Sequence, residues 1–419
     1  MRERARIPAP IAAILLALAA PLVAQPVHVP APDAAWERRT PEQLGLDAAK
    51  IRAAIALAQS RESGSPRDLE EAHYQSFGRE PFGDAVGPFK ERGPQTGVIV
   101  HRGYIVAEWG EPARVDMTFS VSKSFLSSTV GLAFDRGLIR SVNDVAHSYM
   151  GPILHADAPA LVSEGGRGPF NGRRPIALFD TEHNRTITWD DLLRQVSDWE
   201  GTLWGKPEWA DRPSGQASQW WTRSRVEPGE AYEYNDTRVN VLALAAMNVW
   251  RRPLPEVLRE YLMDAIGASP TWRWYGYDNS WVVLDGRLMQ AVSGGGHWGG
   301  GMFISALDQA RFGLLATRNG RWGDQQILSE EWLRMARTPT PAEPGYGFMN
   351  FFLNTNTAQP GQPPRRRLPS APETAFVHLG NGTNAIYCDP ENDLVIVLRW
   401  FEQGAMDGIV ELVLSAIGA

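Results

Sequence analysis

The chain is 419 residues long, with 43% hydrophobic and 10% aromatic residues, ample for a large core in one big domain or two intimately packed ones. Its formal charge of -7, and the shortness of its Arg365-Arg366-Arg367 run, exclude a nucleic-acid-binding footprint. The single cysteine, Cys388, excludes an internal disulfide and any cysteine metal cluster, and the eight scattered histidines form no H-x-x-x-H pair, which argues against a zinc enzyme.

The N-terminus reads as a targeting segment. Arg2, Arg4 and Arg6 precede an apolar core from Ile11 to Val23, too short for a comfortable membrane span, and Ala24-Gln25 offers a cleavage point. We expect a signal peptide over 1–24, hence a periplasmic or secreted protein with no stable membrane insertion after cleavage. Residues 25–89 read as a leader and surface wrap. Within them, Ile51, Ala54, Ile55 and Leu57 have helical spacing, and 63–94 is rich in Gly, Pro and charge. Residues 97–109 are two short β runs joined at Arg102-Gly103, a hairpin.

A strong helical pattern follows, carrying Val121, Phe125, Leu126, Val130 and Leu132 on or near one face and ending at Gly137. Residues 139–278 read as mostly helical, with Thr188 capping a helix and a run dense in tryptophan (Trp199, Trp204, Trp209, Trp220, Trp221). That run suits either core packing or the wall of an apolar substrate cleft. Pro228-Gly229 marks a turn that places Tyr234 just before another helix. The glycine-rich 293–302 run lacks the Gly-Lys-Ser/Thr ending of a phosphate loop, so its glycines serve close packing or tight turns. Residues 308–317 read as helix and 355–372 as a mobile Pro-rich loop. Residues 375–380, 385–388 and 394–400 read as strands, and 409–417 as a closing helix. Strands at both ends and helices between them predict an α+β fold, an antiparallel sheet assembled from both ends and flanked by helices, beside a mainly helical region.

Chemistry concentrates at Ser120-Val121-Ser122-Lys123. A serine hydroxyl needs a group to take its proton, and a lysine amine one helical turn on, at a helix start, can do so. Only four lysines occur in the chain: Lys50, Lys90, Lys123 and Lys206. Two further motifs follow in order: Tyr234-Asn235-Asp236 before a helix, and His378-Leu379-Gly380 on a strand near the C-terminus.

This ordered trio resembles the serine β-lactamase-like superfamily over roughly residues 90–419. The similar branch holds class C β-lactamases, D-alanyl-D-alanine carboxypeptidases, family VIII carboxylesterases and 6-aminohexanoate-dimer hydrolases. The resemblance implies Ser120 as nucleophile of an acyl-enzyme and shared acid/base work by Lys123 and Tyr234. It also implies an oxyanion hole from the backbone N–H groups of Ser120 and Asn381 beside Gly380, with His378 lining the cleft. No cofactor or metal is implied. Asp236 departs from the usual Asn of the second motif. It would pair with Lys123, leaving Lys123 as proton donor and electrostatic partner and Tyr234 as the base. With His378 and Leu379 in the third motif, a substrate carboxylate loses two partners, and Arg399 is a candidate replacement.

Ser197-Asp198-Trp199 resembles the Ser-Asp-Asn motif of class A enzymes but lacks its Asn. A Ser-His-Asp site based on His378 or His297 has no G-x-S-x-G elbow to support it. The expected function is a secreted serine hydrolase of a small-molecule ester or amide. A β-lactamase or D,D-peptidase acting on a lactam or peptide is the alternative, and a non-catalytic ligand-binding or sensor protein is a second.

Overall fold

A computed structural model describes residues 28–32, 36–156, 174–358 and 363–418. The expected signal peptide over 1–24 and part of the Pro-rich loop lie outside the described residues. Among the described residues no helix is long and apolar enough to cross a membrane.

The main sheet is six-stranded and antiparallel. Its order is Phe352–Leu353, Phe376–Gly380, Asn384–Asp389, Leu394–Arg399, Thr96–His101, Tyr104–Trp109. The two ends of the chain meet at its centre, where Thr96 stands opposite Arg399 and His101 opposite Leu394. The central strands are buried on both faces, so they are apolar at successive positions. Val98, Val100, Ile386, Val395 and Val397 face the core shared with the Ser122–Asp135 and Ala306–Thr317 helices. Ile99, Tyr387, Leu394, Ile396 and Leu398 face the opposite core.

That second core includes residues 44–58 of the segment read as a leader. The Ala48–Gln59 helix, capped by Asp47, buries Ile51, Ala54 and Ala58 beside the closing Met406–Ile417 helix. The 63–94 wrap also carries structure, the Leu69–Phe77 helix capped by Asp68.

The middle of the chain differs from the helical expectation for 139–278. A second antiparallel sheet runs Asp116–Met117, Gly301–Ile304, Arg273–Leu284, Leu154–Ala156, Arg174–Pro175, with Arg287–Val292 also paired to the long strand. A register break between Gly276 and Trp281 disturbs the alternation of that long strand, which hides it from a period-two search. Helices still pack between the sheets, chiefly Asp236–Trp250, which is buried nearly throughout. The Pro-rich loop is tied down where it is described: the Asn354 side chain amide donates to the carbonyls of Leu368, Ala371 and Pro372 and accepts from the Leu368 N–H.

Candidate active site

The Thr118–Ser122 turn aims the serine. Phe119 is buried with φ +48, a left-handed conformation that costs a bulky residue about 1–3 kcal/mol and must be held by its surroundings. Three contacts hold it. The Thr118 N–H donates to Met302 O at 2.9 Å, Gln309 Nε2 donates to Thr118 Oγ1 at 2.9 Å, and Arg399 donates to Met117 O at 2.8 Å. Ser120 emerges on a short 3-10 turn, Phe119–Val121, that leads into the Ser122–Asp135 helix.

Lys123 is fully buried and donates to Ser120 Oγ at 2.9 Å. It also ion-pairs with Asp236 Oδ1 at 2.6 Å. Asp236 begins its helix because Asn235 is the cap: Asn235 Oδ1 accepts from Arg238 N at 3.1 Å, and its Nδ2 donates to Glu208 O at 2.7 Å. Tyr234, just before the cap, is close enough to Ser120 to interact with its hydroxyl, and its ring lies 4.6 Å from the Lys123 ammonium and 5.2 Å from the Arg212 guanidinium. The structure thus brings Ser120, Lys123, Tyr234 and Asp236 together.

Glycine makes room for this assembly at Gly295. A Cβ there would stand 1.5 Å from Asp236 Oδ1 and 2.4 Å from Lys123 Nζ. On the other side runs the Phe376–Gly380 strand. A Cβ on Gly380 would come 2.2 Å from Thr118 O and 3.3 Å from Ser120 N, so the strand end passes close beside the serine backbone, with exposed Asn381 next in line.

Two expectations need correction. His378 does not line the cleft. Its ring is fully buried among Phe312, Phe351 and Phe376, with Nδ1 bonded to Ser124 Oγ at 2.8 Å, and burial pushes its pKa down to about 3. Strand alternation causes this, because the face carrying Phe376 and His378 looks into the core. Arg399 is not a carboxylate ligand either. It is buried and spends its donors on Asn384 Oδ1, Ile304 O and Met117 O.

Burial, then the Asp236 carboxylate, push the Tyr234 phenol above its ordinary value, so the resting side chain carries its proton. Burial pushes Asp236 up as well, but Lys123 and Arg212 on its two oxygens outweigh this and hold its carboxyl well below the usual range.

Asp198, of the Ser197-Asp198-Trp199 look-alike, is a structural hub. It pairs with Arg223, Arg225 and Arg238, and despite burial the Arg223 hydrogen bond, the Val226 N–H and Arg238 bring it down to about 2. The tryptophan run divides. Trp199 and Trp204 are core, whereas Trp221 is 59% exposed and packs edge-on against Trp209.

The sequence reading missed the groups behind Asp236. Arg212 donates to Asp236 Oδ2 at 2.8 Å, to Asp211 Oδ1 at 2.6 Å and to His297 Nδ1 at 2.8 Å. His297 Nε2 in turn meets Glu80 Oε2 at 2.8 Å. Arg212 and Glu80 belong to no spacing pattern. Only His297, in the glycine-rich run, stood out in the sequence.

Glu80, Asp211 and His297 place ligand atoms within 4.8 Å of one another. These atoms already have partners: His297 Nε2 meets Glu80 Oε2 at 2.8 Å, and Asp211 Oδ1 accepts from Arg212 at 2.6 Å.

Comparison with known proteins bears on the family and the fold. The beta-lactamase family model matches residues 85–400. No curated protein matches the sequence significantly. Among solved structures, the chain is similar to EstCE1, a hydrolase with promiscuous acyltransferase activity (14% identity, TM-score 0.51, covering 88% of this chain and 99% of that one). It is also similar to a penicillin-binding protein homologue from Caulobacter crescentus (12%, 0.51, 88% and 97%) and an octameric one from Pyrococcus abyssi (15%, 0.50, 88% and 77%). At such identities these likenesses speak to fold alone. With the family match spanning most of the sequence and the helix-borne serine and lysine set against a sheet edge, the chain belongs to the beta-lactamase family.

Proposed function

We propose that the protein is a serine hydrolase that cleaves an ester or small amide through an acyl-Ser120 intermediate. The observation that carries this is the buried Lys123 ammonium, 2.9 Å from Ser120 Oγ and anchored on Asp236. In the deprotonated fraction of the enzyme, the Lys123 amine takes the proton of Ser120 as Oγ attacks the carbonyl carbon. Tyr234, neutral in the resting state, donates its proton to the leaving alkoxide or amine. The ammonium beside the Tyr234 ring then returns a proton to the phenolate, and both groups are reset. Water repeats the sequence against the acyl carbon and releases the acid.

The ester or small-amide preference rests on what the third motif withholds. His378 and Arg399 are both buried and turned away, so neither supplies a cation for the carboxylate of a β-lactam or a peptide terminus. The pattern of residues 1–24 supports export, to the periplasm or beyond.

The test is intact-protein mass over time with an activated short-chain ester. A transient acyl adduct on wild type, absent from Ser120→Ala, is expected, with product released. Equal turnover by Ser120→Ala overturns the assignment. Faster turnover of a chromogenic cephalosporin than of aryl esters would instead select the β-lactamase alternative.

A further inference from the structure

The ion pair behind the serine is part of a longer chain of charge, buried at Lys123, Asp236, Asp211 and His297 and partly exposed at Arg212 and Glu80. From Ser120 it runs through Lys123 and Asp236 to Arg212, and from Arg212 to Asp211 and, by way of His297, to Glu80. Asp211 and Asp236 are held together: both side chains are buried, and Asp211 Oδ2 accepts the backbone N–H of Asp236. Two carboxylates so placed need counter-charge, because buried charge without a partner is costly. Lys123 supplies one cation and Arg212 the other.

The next cation, Lys206, lies on the outer side, beside the Trp298 ring and within electrostatic reach of Glu80 and His73 rather than of Lys123. Burial, then Arg212, hold His297 neutral, so its Nδ1 accepts from Arg212 and its Nε2–H donates to Glu80. His73, 6.2 Å from His297, is pushed down by burial as well, and Tyr277 is a buried neutral phenol. Glu80, on the outer side, is pushed up to about 7 by burial and then by Asp211. Tyr234 and, behind it, Tyr346 are the other titratable groups near Lys123, both phenols pushed up by burial.

We propose that Arg212 is a positioning residue of this site: by taking one oxygen each of Asp236 and Asp211 it divides the buried negative charge, and so sets the pH above which Lys123 can accept the Ser120 proton. Burial pushes Asp211 up to about 6 even beside Arg212, and in the range where both acids are ionised the loss of Arg212 leaves two carboxylates facing Lys123 alone. The ammonium is then held more tightly, and the amine form needed for attack appears only at higher pH. The fork of Arg212 suits this task because it meets two acceptors and an imidazole nitrogen at once in fixed geometry. The proposal rests on the serine hydrolase reading but can be tested apart from it.

The experiment follows two signals against pH in wild type, Arg212→Gln, Asp211→Asn and the double variant. One is kcat/KM for an activated short-chain ester. The other is the ε-carbon resonance of Lys123 in lysine-labelled protein, which is tractable because the chain has only four lysines. The midpoint is expected to rise by about one pH unit or more in Arg212→Gln. It is expected to fall in Asp211→Asn and to return near the wild-type value in the double variant, where one charge of each sign is gone.

Identical midpoints in wild type and Arg212→Gln overturn the proposal, as does a double variant that tracks Arg212→Gln. If Arg212→Gln does not fold, the downward shift in Asp211→Asn carries the test, and its absence overturns it. A wild type that turns over no ester leaves the resonance signal intact, which separates failure of this inference from failure of the hydrolase reading.

Discussion

Burial decides what His378 does. A histidine in a strand beside a nucleophile invites a catalytic reading, but this ring sits among three phenylalanines and is neutral, its pKa pushed down to about 3. Above the unfolded value of about 6.5 the ring is neutral in both states and contributes nothing to pH dependence. Below it the unfolded chain binds a proton that the native ring refuses, so stability falls by about 1.4 kcal/mol per pH unit down to about pH 3. In His378→Leu, the loss of unfolding free energy between pH 7 and pH 4.5 should shrink by about 2–3 kcal/mol, measured by urea denaturation. An unchanged loss would show that the ring is protonated in the native state.

The residues that sequence made legible at the site, Ser120, Lys123, Tyr234 and Asp236, each belong to a short local pattern, whereas Arg212 and Glu80 arrive from loops that only tertiary packing brings near. Strand alternation, not residue type, hid the fate of His378.

Elements position the site by close approach. The glycine-rich run before the Gly301–Ile304 strand has its backbone against the Lys123–Asp236 pair, and Gly295 leaves no room for a methyl group. Gly295→Ala should push the pair apart, lowering kcat/KM for an activated ester by at least about a hundredfold, the scale expected when a catalytic group is displaced by about 1 Å. Gly404→Ala, where nothing lies within 4 Å, is the comparison and should leave turnover unchanged. A Gly295→Ala enzyme as active as wild type would show that the run yields without disturbing the pair.

The hairpins and the closing helix were legible because their patterns are regular. The Arg273–Leu284 strand was not, because its register breaks within a stretch containing Gly276, Asp278 and Asn279, residues that punctuate turns. The tryptophan run carried no period, and its members went to different places: Trp199 into the core, Trp221 to the surface.

Across the whole molecule, the strand of residues 96–101 pairs with the strand of residues 394–399. Such separation along the chain makes the central pairing slow to form, and it makes the last helix a condition for keeping the sheet covered. Removing 406–417 would uncover Ile396, Leu398 and their neighbours on one face. The truncated chain is expected to be insoluble or chymotrypsin-sensitive under conditions where the full chain resists; equal protease resistance would show that the Ala48–Gln59 helix covers the sheet unaided.

Those two outer helices have a further consequence. The Asp47 N–H donates to Ala416 O at 3.1 Å, and Lys50 Nζ reaches Ser415 O at 2.7 Å. The start of one outer helix is thus bonded to the end of the other through backbone as well as side chain, so the pair behaves as a single clasp over the sheet: fraying at either end of the clasp loosens both helices together.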